Sequence, residues 1–202
     1  MIDFKLWKDA LLKPKQTFKK QKPKADLGVA MKNVAIAGLI TGIIMGLVEL
    51  NLLSFAFNIV FYPIVMVVSL LLNSLLYHVF ARLLGGKGNY NTQTYLIALY
   101  SAPMSIMSSI VSIPLLSMTE ENLFNNLPVL VLVVIASMVV GIYSLYLLIQ
   151  SLKETHSIST GRAFLTAIVP ALLLMLLIIA GVLVYYGLFM PAAYEIALPS
   201  TV

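Results

Sequence analysis

Five long apolar stretches, separated by short polar segments, dominate the chain. They run from Val34 to Phe55, Phe57 to Leu84, Thr94 to Ser117, Leu127 to Leu152 and Ala163 to Met190. Each is near or above the roughly 20 residues that cross a bilayer as a helix. The pattern predicts an all-α, polytopic transmembrane bundle. Residues 1–32 would form a cytoplasmic head, 33–191 a five-span unit, and 192–202 a short external tail. The second stretch is long enough to require tilt or an extension beyond the bilayer. Pro63, Pro103, Pro114 and Pro170 lie in or near spans. Each frees a carbonyl that neighbouring helices must satisfy.

The head has its own pattern. On a helical wheel Phe4, Leu6, Trp7, Ala10 and Leu11 share one face, while Lys5, Lys8 and Asp9 point away. Pro14 ends that helix or starts a turn. The run from Lys13 to Lys24 holds six lysines and two prolines and is predicted to be extended. One reading is an interfacial helix plus a polybasic patch gripping anionic lipid. Its lipid-facing residues would be Phe4, Trp7, Leu11, Lys13, Lys15, Lys19 and Lys20. Trp7 favours this reading, because Trp prefers the membrane interface. The other reading is a solvated stop that only sets orientation.

Charge gives those spans a direction. The chain has 202 residues, 60% hydrophobic and only 10% charged, with a net charge of +5. Soluble domains carry roughly 25% charged residues, so lipid is the solvent for most of the chain. All 13 Lys and Arg residues fall in the head, near the 85–93 loop or near the 153–162 loop. Glu49, Glu120, Glu121 and Glu195 fall at the opposite ends of the spans. Five spans with a cytoplasmic N-terminus and an external C-terminus meet the positive-inside rule at every loop. The basic charge therefore serves orientation and lipid contact rather than nucleic acid. The first residues have no early apolar core, so the first span is expected to act as an uncleaved anchor.

Few motifs carry chemistry. Gly38, Gly42 and Gly46 form a flat ridge on the first span, suited to a close helix neighbour within the chain or in a partner. Ser74, His78 and Arg82 recur every four residues on the second span, with Asn73 beside them. They are either a functional polar stripe or an interfacial histidine and a snorkelling arginine. Gly85-Gly86-Lys87-Gly88 resembles a phosphate loop superficially. However, Ala81 stands where that loop needs its first glycine, and Gly88 follows the lysine instead of Ser or Thr. A tight turn between helices explains those glycines better. Glu49 near the outer end of the first span is either an interfacial acid or a carrier with Asn51 and Asn58 nearby. There is no Cys, and His78 and His156 are far apart in sequence. No metal site, cofactor site or catalytic set is suggested.

Three stretches together carry a resemblance. The first is Pro14-Lys15-Gln16-Thr17-Phe18 after the Trp-containing helix. The second runs from Phe80 through Arg82, Gly85-Gly86-Lys87-Gly88-Asn89-Tyr90 and Thr94 to Tyr100-Ser101-Ala102-Pro103. The third is Leu152-Lys153-Glu154-Thr155-His156-Ser157-Ile158-Ser159, then Arg162-Ala163 and Pro170. In this order and at these positions the chain resembles the Yip-domain family of five-span membrane proteins. The glycine loop followed by Tyr90 is the most specific part. The resemblance implies a cytoplasmic N-terminus and five spans, and eukaryotic members associate with small GTPases in vesicle traffic. Those members carry an Asp-Leu-Tyr-Gly-Pro motif before the spans. Asp26-Leu27-Gly28 here lacks the Tyr-Gly-Pro part, which weakens the case for a small-GTPase partner. The chain is similar to compact prokaryotic members, which implies a multi-pass protein of a prokaryotic cell membrane.

The expected function is non-enzymatic: a membrane-organising or partner-recruiting scaffold. Its partners would be anionic lipid and another membrane protein or a second copy of itself. The alternative is a permease, or a membrane subunit of a transport complex, built on proline-broken spans and the Asn73, His78, Arg82 cluster.

Overall fold

The computed structural model describes residues 3–118 and 126–189, with side chains described through residue 185. Within them the chain is helical. Two short helices, α1 (Phe4–Leu12) and α2 (Pro14–Gln21), and a 3₁₀ turn at Lys22–Lys24 precede five long ones. These are α3 (Leu27–Glu49), α4 (Leu52–Leu83), α5 (Tyr90–Leu116), α6 (Leu127–His156) and α7 (Thr160–Phe189). All five are long and apolar enough to cross a membrane.

Short polar side chains set the starts. Asp3, Asp26, Asn51 and Asn89 each accept a backbone N–H from the first turn that follows, satisfying donors that a helix leaves orphaned. Asn51 also moves a boundary. The first apolar stretch does not reach Phe55: α3 stops at Glu49, Leu50 turns in the left-handed region at φ 51°, and α4 starts at Leu52. Phe55 therefore belongs to α4, where it lies against Gly46.

The expected extended run from Lys13 to Lys24 is helical instead. Pro14 occupies the first position of α2, where a missing N–H costs nothing and its fixed φ suits a helix. Burial of Thr17 and Phe18 then holds the turn. The Phe18 ring sits 6.2 Å from that of Tyr100, and the Thr17 hydroxyl donates to the Asp9 carbonyl.

α5 is the hub. It packs against α1, α3, α4 and α6, and Thr92 to Tyr100 are buried without interruption. Leu96, Leu99, Leu147 and Leu152 anchor the core. This packed half is the end carrying Arg82, Lys87, Lys153 and Arg162. Beyond Pro170, every described side chain of α7 is exposed. Glu120, Glu121 and Glu195 lie outside the described residues.

The glycine ridge faces α4 of the same chain. A Cβ on Gly38 would stand 2.7 Å from the Pro63 Cα, one on Gly42 2.4 Å from the Asn58 carbonyl oxygen, and one on Gly46 2.7 Å from the Phe55 ring. Backbone lies against backbone along this seam, which is the contact small residues permit in lipid.

Candidate functional site

The glycine loop between α4 and α5 closes over the end of α6. Gly85 takes φ +85°, a region open to glycine without strain. Gly86 donates its N–H to the Ala81 carbonyl at 2.8 Å, and Lys87 donates to the His156 carbonyl at 3.2 Å. Gly86 and Gly88 leave no room for side chains. A Cβ on Gly86 would meet His156 Nδ1 at 2.7 Å, and one on Gly88 would meet the Thr155 carbonyl oxygen at 2.5 Å.

From this loop a chain of hydrogen bonds runs through three helices with one consistent direction. The Gly88 N–H donates to His156 Nδ1 at 3.2 Å. That nitrogen therefore holds a lone pair, and the proton of this neutral imidazole is assigned to Nε2. Nε2 donates to Gln93 Oε1 at 2.6 Å. Gln93 Nε2 donates to the Ser74 carbonyl at 2.6 Å and reaches its hydroxyl at 3.3 Å. The Ser74 and Thr94 hydroxyls are 2.7 Å apart, and Thr94 donates onward to the Tyr90 carbonyl at 2.9 Å. Thr94 has used its proton, so Ser74 is the donor between them. Gln93, Ser74, Thr94 and His156 are all buried.

His78 stands at the edge of this network, its ring centroid 5.3 Å from that of His156 and 5.9 Å from that of Tyr90. Its Nδ1 is buried without a hydrogen-bond partner. Arg82, one turn on, is exposed. The stripe Ser74, His78, Arg82 thus grades from interior to surface. The two histidines, far apart in sequence, are neighbours in space. No third His, Cys, Asp or Glu joins them among the described residues. Chemically the arrangement ties elements together. The hydroxyls connect to His156 only through the Gln93 amide, which is neither a base nor an acid that could pass a proton.

The head helices dock on the same end of the bundle. Trp7 is 4% exposed and lies in the core with Ala10, not at a lipid surface. Leu11 is half-buried and packs against that core, while Phe4 is exposed. The expectation of an outward Trp7 and Leu11 is thereby corrected: the buried end of α5 supplies the apolar surface they need. Polar contacts fix the dock. The Tyr143 hydroxyl donates to the Leu11 carbonyl, Tyr95 donates to Gln21 Oε1 at 3.1 Å, and Lys22 Nζ donates to the Glu154 carbonyl. Lys13, Lys15, Lys19 and Lys20 remain exposed. Glu49 is exposed at the far end of α3. Gln93 was missed by sequence reasoning because its spacing matches no motif, and Thr94 entered only as part of the family resemblance. A usable signal was their place in the first turn of α5, just past the glycine loop.

A family model described as the Yip1 domain matches residues 8–182. No curated protein and no solved structure gives a match.

Proposed function

The chain belongs to the Yip1-domain family and is a multi-pass integral membrane protein, and from that premise we propose a non-enzymatic scaffold that organises anionic lipid around a rigid cationic platform. The platform is the pair α1–α2. It would sit at the cytoplasmic face, where the positive-inside rule puts the lysines and arginines. The observation that carries this reading is the dock. Trp7 and Phe18 are sunk into the bundle, while Lys13, Lys15, Lys19 and Lys20 point outward. A flexible basic tail attracts anionic lipid wherever it wanders. A docked one holds its charges at fixed positions relative to the spans, so each contributes roughly 1 kcal/mol near an anionic surface in one place. The hydrogen-bonded glycine loop supports the same role, because it stiffens the end on which the head rests.

The bundle would present this platform to a second copy or to another membrane protein through its exposed apolar helices. The test is lipid enrichment around the full-length protein in nanodiscs of mixed neutral and anionic phospholipid. Mass spectrometry of the retained lipid should show anionic enrichment, and Lys13, Lys15, Lys19 and Lys20→Gln together should remove most of it. Equal enrichment in that variant and the wild type would reject the platform.

A further inference from the structure

A pocket of about 240 Å³ lies at the basic end of the bundle, between the 3₁₀ turn, the glycine loop, the start of α5 and the end of α6. Lys22 and Lys87 line it, with Asn89 and Thr92 at the start of α5 and Thr155 in the last turn of α6. Among the described residues no acidic side chain lines it. Asn89 caps α5 by accepting the Thr92 N–H at 2.7 Å. The N–H groups of the turn behind that cap have no helical acceptor, and they give this end of a 27-residue helix a partial positive charge.

Two threonines separate this pocket from an ordinary basic surface. Thr92 is 8% exposed, and its hydroxyl makes no hydrogen bond within the protein. Thr155 is 2% exposed, and its hydroxyl is buried without a partner. A helical threonine can always donate to the carbonyl one turn back, as Thr94 and Thr166 do in this chain. Thr92 and Thr155 do not, so both keep a proton to donate beside the two lysines. The end of α6 brings carbonyls that oppose an anion, but two of them are already occupied. Lys22 Nζ donates to the Glu154 carbonyl, and the Lys87 N–H donates to that of His156. The Lys22 ammonium retains two further N–H groups.

The geometry points to a binding site for a terminal phosphate group, carried by a lipid head or free in solution. The free side-chain groups of the pocket all donate, and two carry positive charge. A terminal phosphate matches them with up to two negative charges and three acceptor oxygens, and a helix N-terminus is suited to hold it. The volume is below the roughly 300 Å³ at which drug-sized pockets begin, so it admits the phosphate and leaves the rest of its carrier outside. The pocket shares no residue with the Lys13, Lys15, Lys19 and Lys20 platform and stands whether or not that platform organises lipid.

The test is saturable binding of radiolabelled dioctanoyl phosphatidic acid to the full-length protein in phosphatidylcholine nanodiscs, with empty nanodiscs subtracted. Dioctanoyl phosphatidylglycerol, whose phosphate is a diester, is the comparator. Phosphatidic acid should bind well above it. Thr92→Val removes a hydroxyl at nearly constant shape and should weaken binding about tenfold, the scale of one hydrogen bond to a charged group. Lys87→Gln, at an exposed side chain, should weaken it at least as much. The variant with Lys13, Lys15, Lys19 and Lys20→Gln should bind as the wild type does. Competition by inorganic phosphate, at ionic strength held with chloride, separates the two sources. Displacement at concentrations near that of the lipid supports a pocket for soluble phosphate, whereas displacement only in large excess supports one for a lipid head. Binding of phosphatidic acid at the comparator's level would overturn the proposal. So would binding lost in the four-lysine variant but unchanged in Thr92→Val and Lys87→Gln. If Thr92→Val does not fold, Lys87→Gln decides alone.

Discussion

Alanine at Gly42 should loosen the α3–α4 seam, by an amount the geometry bounds. Its Cβ would stand 2.4 Å from the Asn58 carbonyl oxygen and 2.9 Å from the Asn58 carbonyl carbon, against ordinary contact beginning at 3.4 Å. The obstacle is backbone, so no side chain can swing aside. The helices must part by about 1 Å at this crossing, and contacts along the seam weaken with them. Overpacking of this kind costs typically 1–3 kcal/mol. Alanine returns about 0.5–1 kcal/mol through its better helix propensity. At the middle of both ranges a net loss of about 1.3 kcal/mol remains, which in a chain of this length lowers the melting temperature by about 3–5 °C. The assay is thermal unfolding in nanodiscs followed by circular dichroism. Gly141→Ala is the internal control, because its Cβ would meet nothing within 4 Å. It should leave the melting temperature unchanged or raise it slightly. If Gly42→Ala melts with or above Gly141→Ala, the tight seam is refuted.

Other substitutions probe the loop and the head. Gly88→Ala should displace the loop from α6, since its Cβ would press on the Thr155 carbonyl oxygen at 2.5 Å; faster proteolysis between Gly85 and Asn89 would report it. His156→Ala removes the link between the Gly88 N–H and Gln93 Oε1 and should cost about 1–3 kcal/mol for the polar groups left unpaired. His156→Gln should recover part of that loss in the same melt. Trp7→Ala should destabilise the dock by about 3–5 kcal/mol, seen as amide exchange across α1 and α2 with the long helices still protected. Uniform exchange across the whole protein would instead make the head part of one cooperative unit.

The long apolar runs made the five helices legible, because only length and hydropathy are needed to recognise a membrane span. Boundaries were misread where hydropathy alone set them and no capping residue was weighed. Asn51 placed the α3–α4 turn five residues earlier than hydropathy did. The helical course of α2 was missed because its two flanking prolines read as breakers, whereas Pro14 stands at a first helical position. Trp7 was assigned to lipid because a helical wheel shows which residues share a face but not what covers it. The polar network was half legible. Ser74 and His78 stood out by their four-residue spacing. Gln93 and His156 could join them only once a loop brought the ends of α5 and α6 together.

The docked head also has a history within each molecule's synthesis. The carbonyl of Leu11 waits for Tyr143, and Lys22 waits for Glu154, each 132 residues further along the chain. At roughly 5–20 residues per second, that interval lasts about 7–26 s. Until it ends, α1 and α2 can rest only on α5, made earlier, and lack their seat on α6, so their lysines are freer to settle against whatever surface is near the emerging chain. The same segment is thus a loose charged tether early in the life of the molecule. It becomes a fixed strut only once α6 has been made.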